Sequence, residues 1–243
     1  MMTAAEVASV ITRDVVARLA EASAGAGVSN PVVVMVTGPP ATGKTALCAE
    51  IAGRLGGYRV LTLVDDREIY SRDVREGLGV TGIDHAARDM DQLKRDLIAL
   101  LTGKPVPDKS YERYPDRAPR LVCRGTLAPK AVVLLDGFAW CYQDFDGLWD
   151  LKYALLPRSF EQSARMSSGR DTAERHYSDQ QAEAKHRVTY EAYARHEHTL
   201  RRDADRIYLV SADYRFEVEK ELPAGSALPT SGLTDPGQHG SNR

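Results

Sequence analysis

The chain is short of cysteine, of net charge and of long apolar runs, and each shortage argues against a class of function. Its three cysteines, Cys48, Cys123 and Cys141, are odd in number and lack ligand spacing. They read as reduced, buried thiols, which argues against a disulfide scaffold or a cysteine-held metal. Formal charge is −2 over 243 residues, so nothing global favours nucleic acid or an anionic membrane. No apolar stretch reaches the roughly 20 residues that span a bilayer. The first residues mix acidic and polar side chains into an amphipathic pattern, unlike a signal-peptide core. A cytoplasmic protein is expected. His176, His186, His196 and His198 show no metal-ligand pattern with supporting carboxylates and are expected at the surface. No internal repeat is visible.

What is present points one way. Gly38-Pro-Pro-Ala41-Thr42-Gly43-Lys44-Thr45 spells G-x-x-x-x-G-K-[ST], the phosphate-binding loop of nucleotide-using proteins. Before it, Pro31 to Thr37 is an apolar, β-branched run that reads as a buried strand. After it, Thr45 to Leu55 has helical apolar spacing, stopped by Gly56-Gly57. Turn N–H groups and the first N–H groups of the helix would converge on one anion, favoured by the helix dipole. Gly38 and Gly43 let backbone approach phosphate. Lys44 reaches the outer phosphates as a point charge, and the Thr45 hydroxyl suits Mg²⁺. Ala41, Thr42 and Ala46 complete the set expected around the nucleotide. The motif alone does not separate a kinase from a hydrolase or a switch.

The rest of the chain alternates strands and helices. A capping box, Thr3-Ala-Ala-Glu6, opens a helix to about Glu21, with Val7, Val10, Ile11, Val15 and Leu19 as its apolar stripe. Strands are predicted at Arg59–Val64, Ala131–Gly137, Leu151–Leu156 and Arg206–Val210, and helices at Asp89–Thr102, Ser159–Met166 and Asp179–Leu200. Ser71 to His85 reads as loop, and Ser167 to Ser178 as a polar, arginine-bearing segment. Lys104 to Arg120 is a long basic loop of the kind that is often functional. The expected fold class is α/β: a P-loop NTPase fold, a parallel sheet flanked by helices, with an arginine-bearing lid. The expected organisation is an N-terminal helix and linker over residues 1–30, a kinase domain over 31–222 with its lid at about 165–178, and a disordered tail over 223–243.

Phosphoryl transfer asks for positioning and charge. Asp65 and Asp66 end the second strand, where one can accept the acceptor's proton; the alternative is a solvated turn pair. Asp136 ends a buried run and needs a partner, which Mg²⁺ or Thr45 would supply. Arg165, Arg170 and Arg175 suit phosphate oxygens, or are a solvated charged surface. Lys104, Lys109, Arg113, Arg117, Arg120 and Arg124 leave an anionic acceptor and a solvated surface equally open.

Taken in order, these segments resemble the phosphoribulokinase/uridine kinase family of P-loop small-molecule kinases. Val64-Asp-Asp-Arg-Glu-Ile-Tyr70 resembles the family's strand-end Asp with its nearby aromatic. Ile83-Asp84-His85 to Asp91 resembles its Phe-Asp-His-Pro segment, Lys109-Ser-Tyr111 its Pro-x-Tyr stretch, and Asp136-Gly137 its Glu-Gly. Asp150-Leu-Lys resembles its Cys-Asp-Leu-Lys strand, and Arg170-Asp171-Thr-Ala-Glu174-Arg175 its Arg-Asp-x-x-Glu-Arg lid. The resemblance implies ATP and Mg²⁺ as cofactors, with Lys44 on the phosphates, and Thr45 and Asp136 on the metal. It implies Asp66, with Asp65 as rival, as base, and Arg170 and Arg175 over the transferred group. It places Asp84, His85, Tyr70 and Tyr111 near the acceptor, and Arg165 is expected there as well. Departures are Asp136 for Glu, Ala86 for Pro, Arg88 for Phe and His176 for the lid's Gly. They leave the acceptor open. The expected activity is γ-phosphoryl transfer to a nucleoside or sugar-like alcohol; the alternatives are an anionic phosphosugar or pantothenate-like acceptor, and a nucleotide-dependent switch. A small-molecule partner is expected, with neither nucleic acid nor membrane, and a homo-oligomer is left open.

Overall fold

The structure is a computed structural model that describes residues 1–24, 31–80, 82, 84–102, 104, 106, 131–138, 145, 147–175 and 178–221. One six-stranded sheet, in the order β2-β3-β1-β4-β5-β6, organises it. β1 (Val32–Thr37), β2 (Arg59–Val64), β3 (Ala131–Gly137), β4 (Leu151–Pro157) and β5 (Arg206–Val210) are parallel. The edge strand β6 (Phe216–Lys220) runs antiparallel to β5. The sequence reading had no such strand, although Phe216 and Val218 alternate with charged residues as an edge strand's do. Met2 pairs with Phe216 on its other side.

Alternation along the central strands divides the core. Val32, Val34 and Val36 of β1 face one layer, with α1 (Ala4–Ala24) and α2 (Lys44–Arg54). Val33 and Met35 face the other, with α4 (Met90–Leu101) and α6 (Asp179–Asp203). Covered on both faces, these strands must be apolar throughout, which is why they read as unbroken runs. Each fully buried valine or leucine contributes about 1.5–3 kcal/mol. Val7, Ile11, Val15 and Leu19 bring α1 into the core. A buried ion pair fixes it further. Arg18 reaches Asp150 Oδ1 through Nε at 3.2 Å and Nη2 at 3.0 Å, while Asp150 Oδ2 accepts the Val33 N–H at 2.8 Å. The expected capping box at Thr3 and Glu6 is formed.

Two segments differ from the sequence reading. Ser71 to His85 contains a helix, α3 (Arg72–Leu78), capped by the Ser71 hydroxyl and stopped by left-handed Gly79. No residue of α3 is buried, so it lacks the apolar stripe by which helices are recognised. Ser159–Met166 and the polar segment after it form one helix, α5 (Phe160–Arg175). It packs along α6, which opens on a capping box between Ser178 and Gln181. Among the described residues no helix is long and apolar enough to cross a membrane.

Candidate active site

The strand order brings the carboxyl ends of β2, β3 and β1 side by side, so their loops share one cleft. The phosphate loop follows β1 and passes directly into α2 at Lys44, with Gly43 in a left-handed turn at φ 85°. Gly38 has φ 149°, and a Cβ there would stand 2.1 Å from the Leu155 carbonyl oxygen. Glycine is therefore demanded by contact with β4, a reason additional to the approach of phosphate. Ala41 is also left-handed, at φ 67°. The Thr42 hydroxyl is buried and donates to the Pro39 carbonyl at 2.9 Å, tying the loop to itself. The Lys44 ammonium donates to the same carbonyl at 3.1 Å.

Asp136, at the end of β3, accepts a hydrogen bond from the Thr45 hydroxyl at 2.5 Å. Burial pushes its carboxyl above the usual aspartate range, opposed by Lys44 and by that hydrogen bond. Among the described residues no three or more His, Cys, Asp or Glu side chains could cage a metal ion. A hydroxyl and a carboxylate together beside the phosphate loop fit a Mg²⁺ that keeps its other places for phosphate oxygens and water.

The two strand-end aspartates occupy different environments. Asp65 is buried; its Oδ2 accepts the Phe138 N–H at 2.7 Å and lies 3.5 Å from Arg88 Nε. Burial pushes its carboxyl up to about 6, against the pull of Arg88. The Asp66 side chain is 52% exposed, and its Oδ1 accepts from Arg88 Nη2 at 3.3 Å. A 3-10 turn at Asp65–Glu68 begins directly after Val64, the last residue of β2, and carries both aspartates out of the strand. Gly137 makes room for it: a Cβ there would fall 2.1 Å from the Asp65 carboxyl carbon. Arg88, itself buried, also donates to the Gly82 carbonyl.

A cleft of about 1130 Å³ unites these groups. Gly38, Ala41, Gly43, Lys44, Thr45, Ala46, Asp65, Asp66, Asp136 and Arg165 all line it. Tyr70, Asp84 and His85 are not among its lining residues. Asp84 instead accepts from Arg195 of α6 at 3.0 Å. Tyr111, the basic middle loop from residue 107 on, Cys123, Cys141 and His176 lie outside the described residues, as do the side chains of Arg170 and Arg175, whose backbone belongs to α5.

No family model matches the chain. A curated uridine kinase from Chloroflexus aggregans is 31% identical over 121 residues, 47% of this chain and 55% of that protein. The chain thus spans about half the length of that relative. A D-glycerate 3-kinase structure from Cryptococcus neoformans aligns with a TM-score of 0.62 at 12% identity, over 87% of this chain and 99% of the other. A phosphoribulokinase structure from Rhodobacter spheroides aligns with a TM-score of 0.55 at 16% identity, over 79% and 76%. The chain shares the fold of these kinase structures.

Within this fold the cleft holds further residues that no sequence motif marked. Arg72 and Arg75 of α3 line it, as does the buried Arg88 that bonds Asp66. Lys185 and His186 of α6 and Tyr214 line it elsewhere. The serine cap of α3 was the available signal for the first pair. Nothing local marked Arg88, whose role comes from tertiary placement. Lys185 bonds Asp171 of α5 at 2.8 Å, joining the two helices beside the cleft. His186 corrects the expectation of surface histidines: it is 5% exposed, in ring contact with Phe160 and Tyr190, and burial holds its imidazole below the usual range. His196 is half-buried, edge-on to Phe138. The buried Cys48 fits the expected buried thiol, and burial pushes it far above the usual range.

Proposed function

We propose that this protein is an ATP- and Mg²⁺-dependent kinase that transfers the γ-phosphoryl group to a hydroxyl of a small-molecule alcohol of nucleoside or sugar-like class. The observation that carries this reading is the exposed Asp66 carboxylate, held by Arg88 in the same cleft as the Lys44 loop. Loop N–H groups and Lys44 bind the β- and γ-phosphates. Thr45 and Asp136 would hold Mg²⁺, which when bound offsets charge on the phosphate oxygens. Asp66 accepts the hydroxyl proton as the acceptor oxygen bonds to the γ-phosphorus and the bond to the β-phosphate oxygen breaks, releasing ADP. Asp65, with its Oδ2 turned to the Phe138 N–H and near Arg88, serves as structural anchor in place of base. Arg165, which lines the cleft, contacts phosphate oxygens in this reading, and Arg170 and Arg175 follow it on α5.

A second reading concerns the acceptor. Arg72, Arg75 and Arg88 line the same cleft as Asp66, which favours an anionic acceptor such as a phosphosugar or carboxylic acid. One experiment addresses both readings: a transfer screen with γ-labelled ATP over nucleosides, sugars, phosphosugars and hydroxy acids, with a Lys44→Ala control. A labelled alcohol product, absent in the control, is expected. ATP turnover that no alcohol stimulates would instead support the nucleotide-dependent switch.

A further inference from the structure

We infer that Tyr214 is the platform on which the base of the bound nucleotide stacks; this deepens the nucleotide reading above and rests on it. The first argument is topological. The phosphate loop follows β1, with β3 and β2 on one side of it and β4, β5 and β6 on the other. Asp136, Asp65 and Asp66 all belong to the first side. A triphosphate whose γ end faces those carboxylates runs away from them, so its nucleoside end is directed to the β5–β6 side.

Tyr214 occupies that side. It lies in the turn between β5 and β6 and lines the cleft with Ala212. Its ring lies close to the loop's glycine: a Cβ on Gly43 would stand 3.5 Å from Tyr214 Cδ1 and 3.7 Å from Cε1. Tyr214 is nonetheless 45% exposed, so part of it is open to a ligand in the cleft.

The turn is built to hold it. Tyr214 N–H donates to the Ser211 carbonyl at 3.0 Å, and Ser211 N–H to the Arg215 carbonyl at 2.8 Å. The Ser211 hydroxyl bonds Asp213 at 2.5 Å and accepts the Arg215 N–H at 2.9 Å. Tyr214 itself has φ 55°, a left-handed conformation that bulky residues rarely adopt. Strain of this kind, kept by a hydrogen-bonded turn, occurs at ligand clamps. A tyrosine face suits any nucleobase, because every base presents a π surface.

The test compares Mg·ATP with Mg·tripolyphosphate, which has the phosphates but no base, by calorimetric titration of the whole chain. Wild type should bind ATP the more tightly. Tyr214→Ala should weaken ATP by about tenfold and leave tripolyphosphate unchanged, while Tyr214→Phe keeps both affinities. Tyr214→Asn, which tolerates the left-handed turn, should match Tyr214→Ala and so separate ring loss from turn distortion. An unchanged ATP affinity in both variants, or equal losses for the two ligands, overturns the assignment. Binding of neither ligand by wild type overturns the phosphate-loop reading, and this assignment with it.

Discussion

Arg88 Nη2 donates to Asp66 Oδ1 at 3.3 Å, and Arg88 Nε stands 3.5 Å from Asp65 Oδ2, so one buried guanidinium orders both strand-end aspartates. The proposal gives this arrangement a purpose: Asp65 fixes Arg88, and Arg88 aims Asp66. Arg88→Met should therefore lower kcat by about 10- to 100-fold, the effect of losing a charge-assisted hydrogen bond in the transition state. ATP affinity should stay within about twofold. Steady-state kinetics with an acceptor found by the transfer screen checks this. Equal losses in kcat and ATP affinity would show that Arg88 supports the whole cleft.

Gly137 is the space that Asp65 occupies. A methyl group 2.1 Å from the Asp65 carboxyl carbon cannot be absorbed by a flexible tip, since Asp65 is buried and bonded to Phe138. Gly137→Ala should destabilise the protein by about 1–3 kcal/mol, as overpacking does. Chemical denaturation measures it. A variant as stable as wild type would mean that Asp65 moves freely.

The fold was legible where one element carries its own signal. The phosphate loop announced itself by its fixed letters, and β1 and β3 by unbroken apolar runs that only a doubly covered strand requires. α3 escaped because it buries nothing, and α5 because its polar second half shows no stripe. The site was half legible. Lys44, Thr45 and Asp136 were readable, since a charge after a buried run needs a partner, and Thr45 is that partner. Asp65 and Asp66 were not separable. Which neighbour faces inward depends on the 3-10 turn at Asp65, and that turn depends on Arg88 and Gly137, residues distant in sequence.

Acidification should affect the Asp65 site in a definite direction. Burial pushes its folded carboxyl up to about 6, from the ordinary aspartate value of 3.8, so the folded state holds this proton more tightly than the unfolded chain does. Its contribution to stability is therefore greatest at low pH and falls as pH rises through the window from 3.8 to about 6, by about 3 kcal/mol at most. Asp65→Asn removes that titration. The stability difference, wild type minus Asp65→Asn, should shrink between pH 4.5 and 6.5 in thermal melts. A difference that grows with pH would reverse the assignment.

Asp136 and Thr45 bond one another beside Lys44. If they hold Mg²⁺, Asp136→Asn should weaken Mg·ATP binding by about tenfold, and metal-free ATP much less. Because burial raises the Asp136 carboxyl, its protonation on acidification starts at a higher pH than for an ordinary aspartate, and Mg·ATP affinity should fall along with it. Titrations with and without EDTA at two pH values test both statements. Equal losses with and without metal would remove Asp136 from the metal site.

The central claim is that Asp66 meets the incoming hydroxyl while the Lys44 loop holds the triphosphate. Single-turnover transfer from γ-labelled ATP by Asp66→Asn tests it most directly. The account predicts a rate at least about 100-fold below wild type, within the range for a lost general base, at unchanged ATP affinity. Undiminished transfer by Asp66→Asn would contradict it.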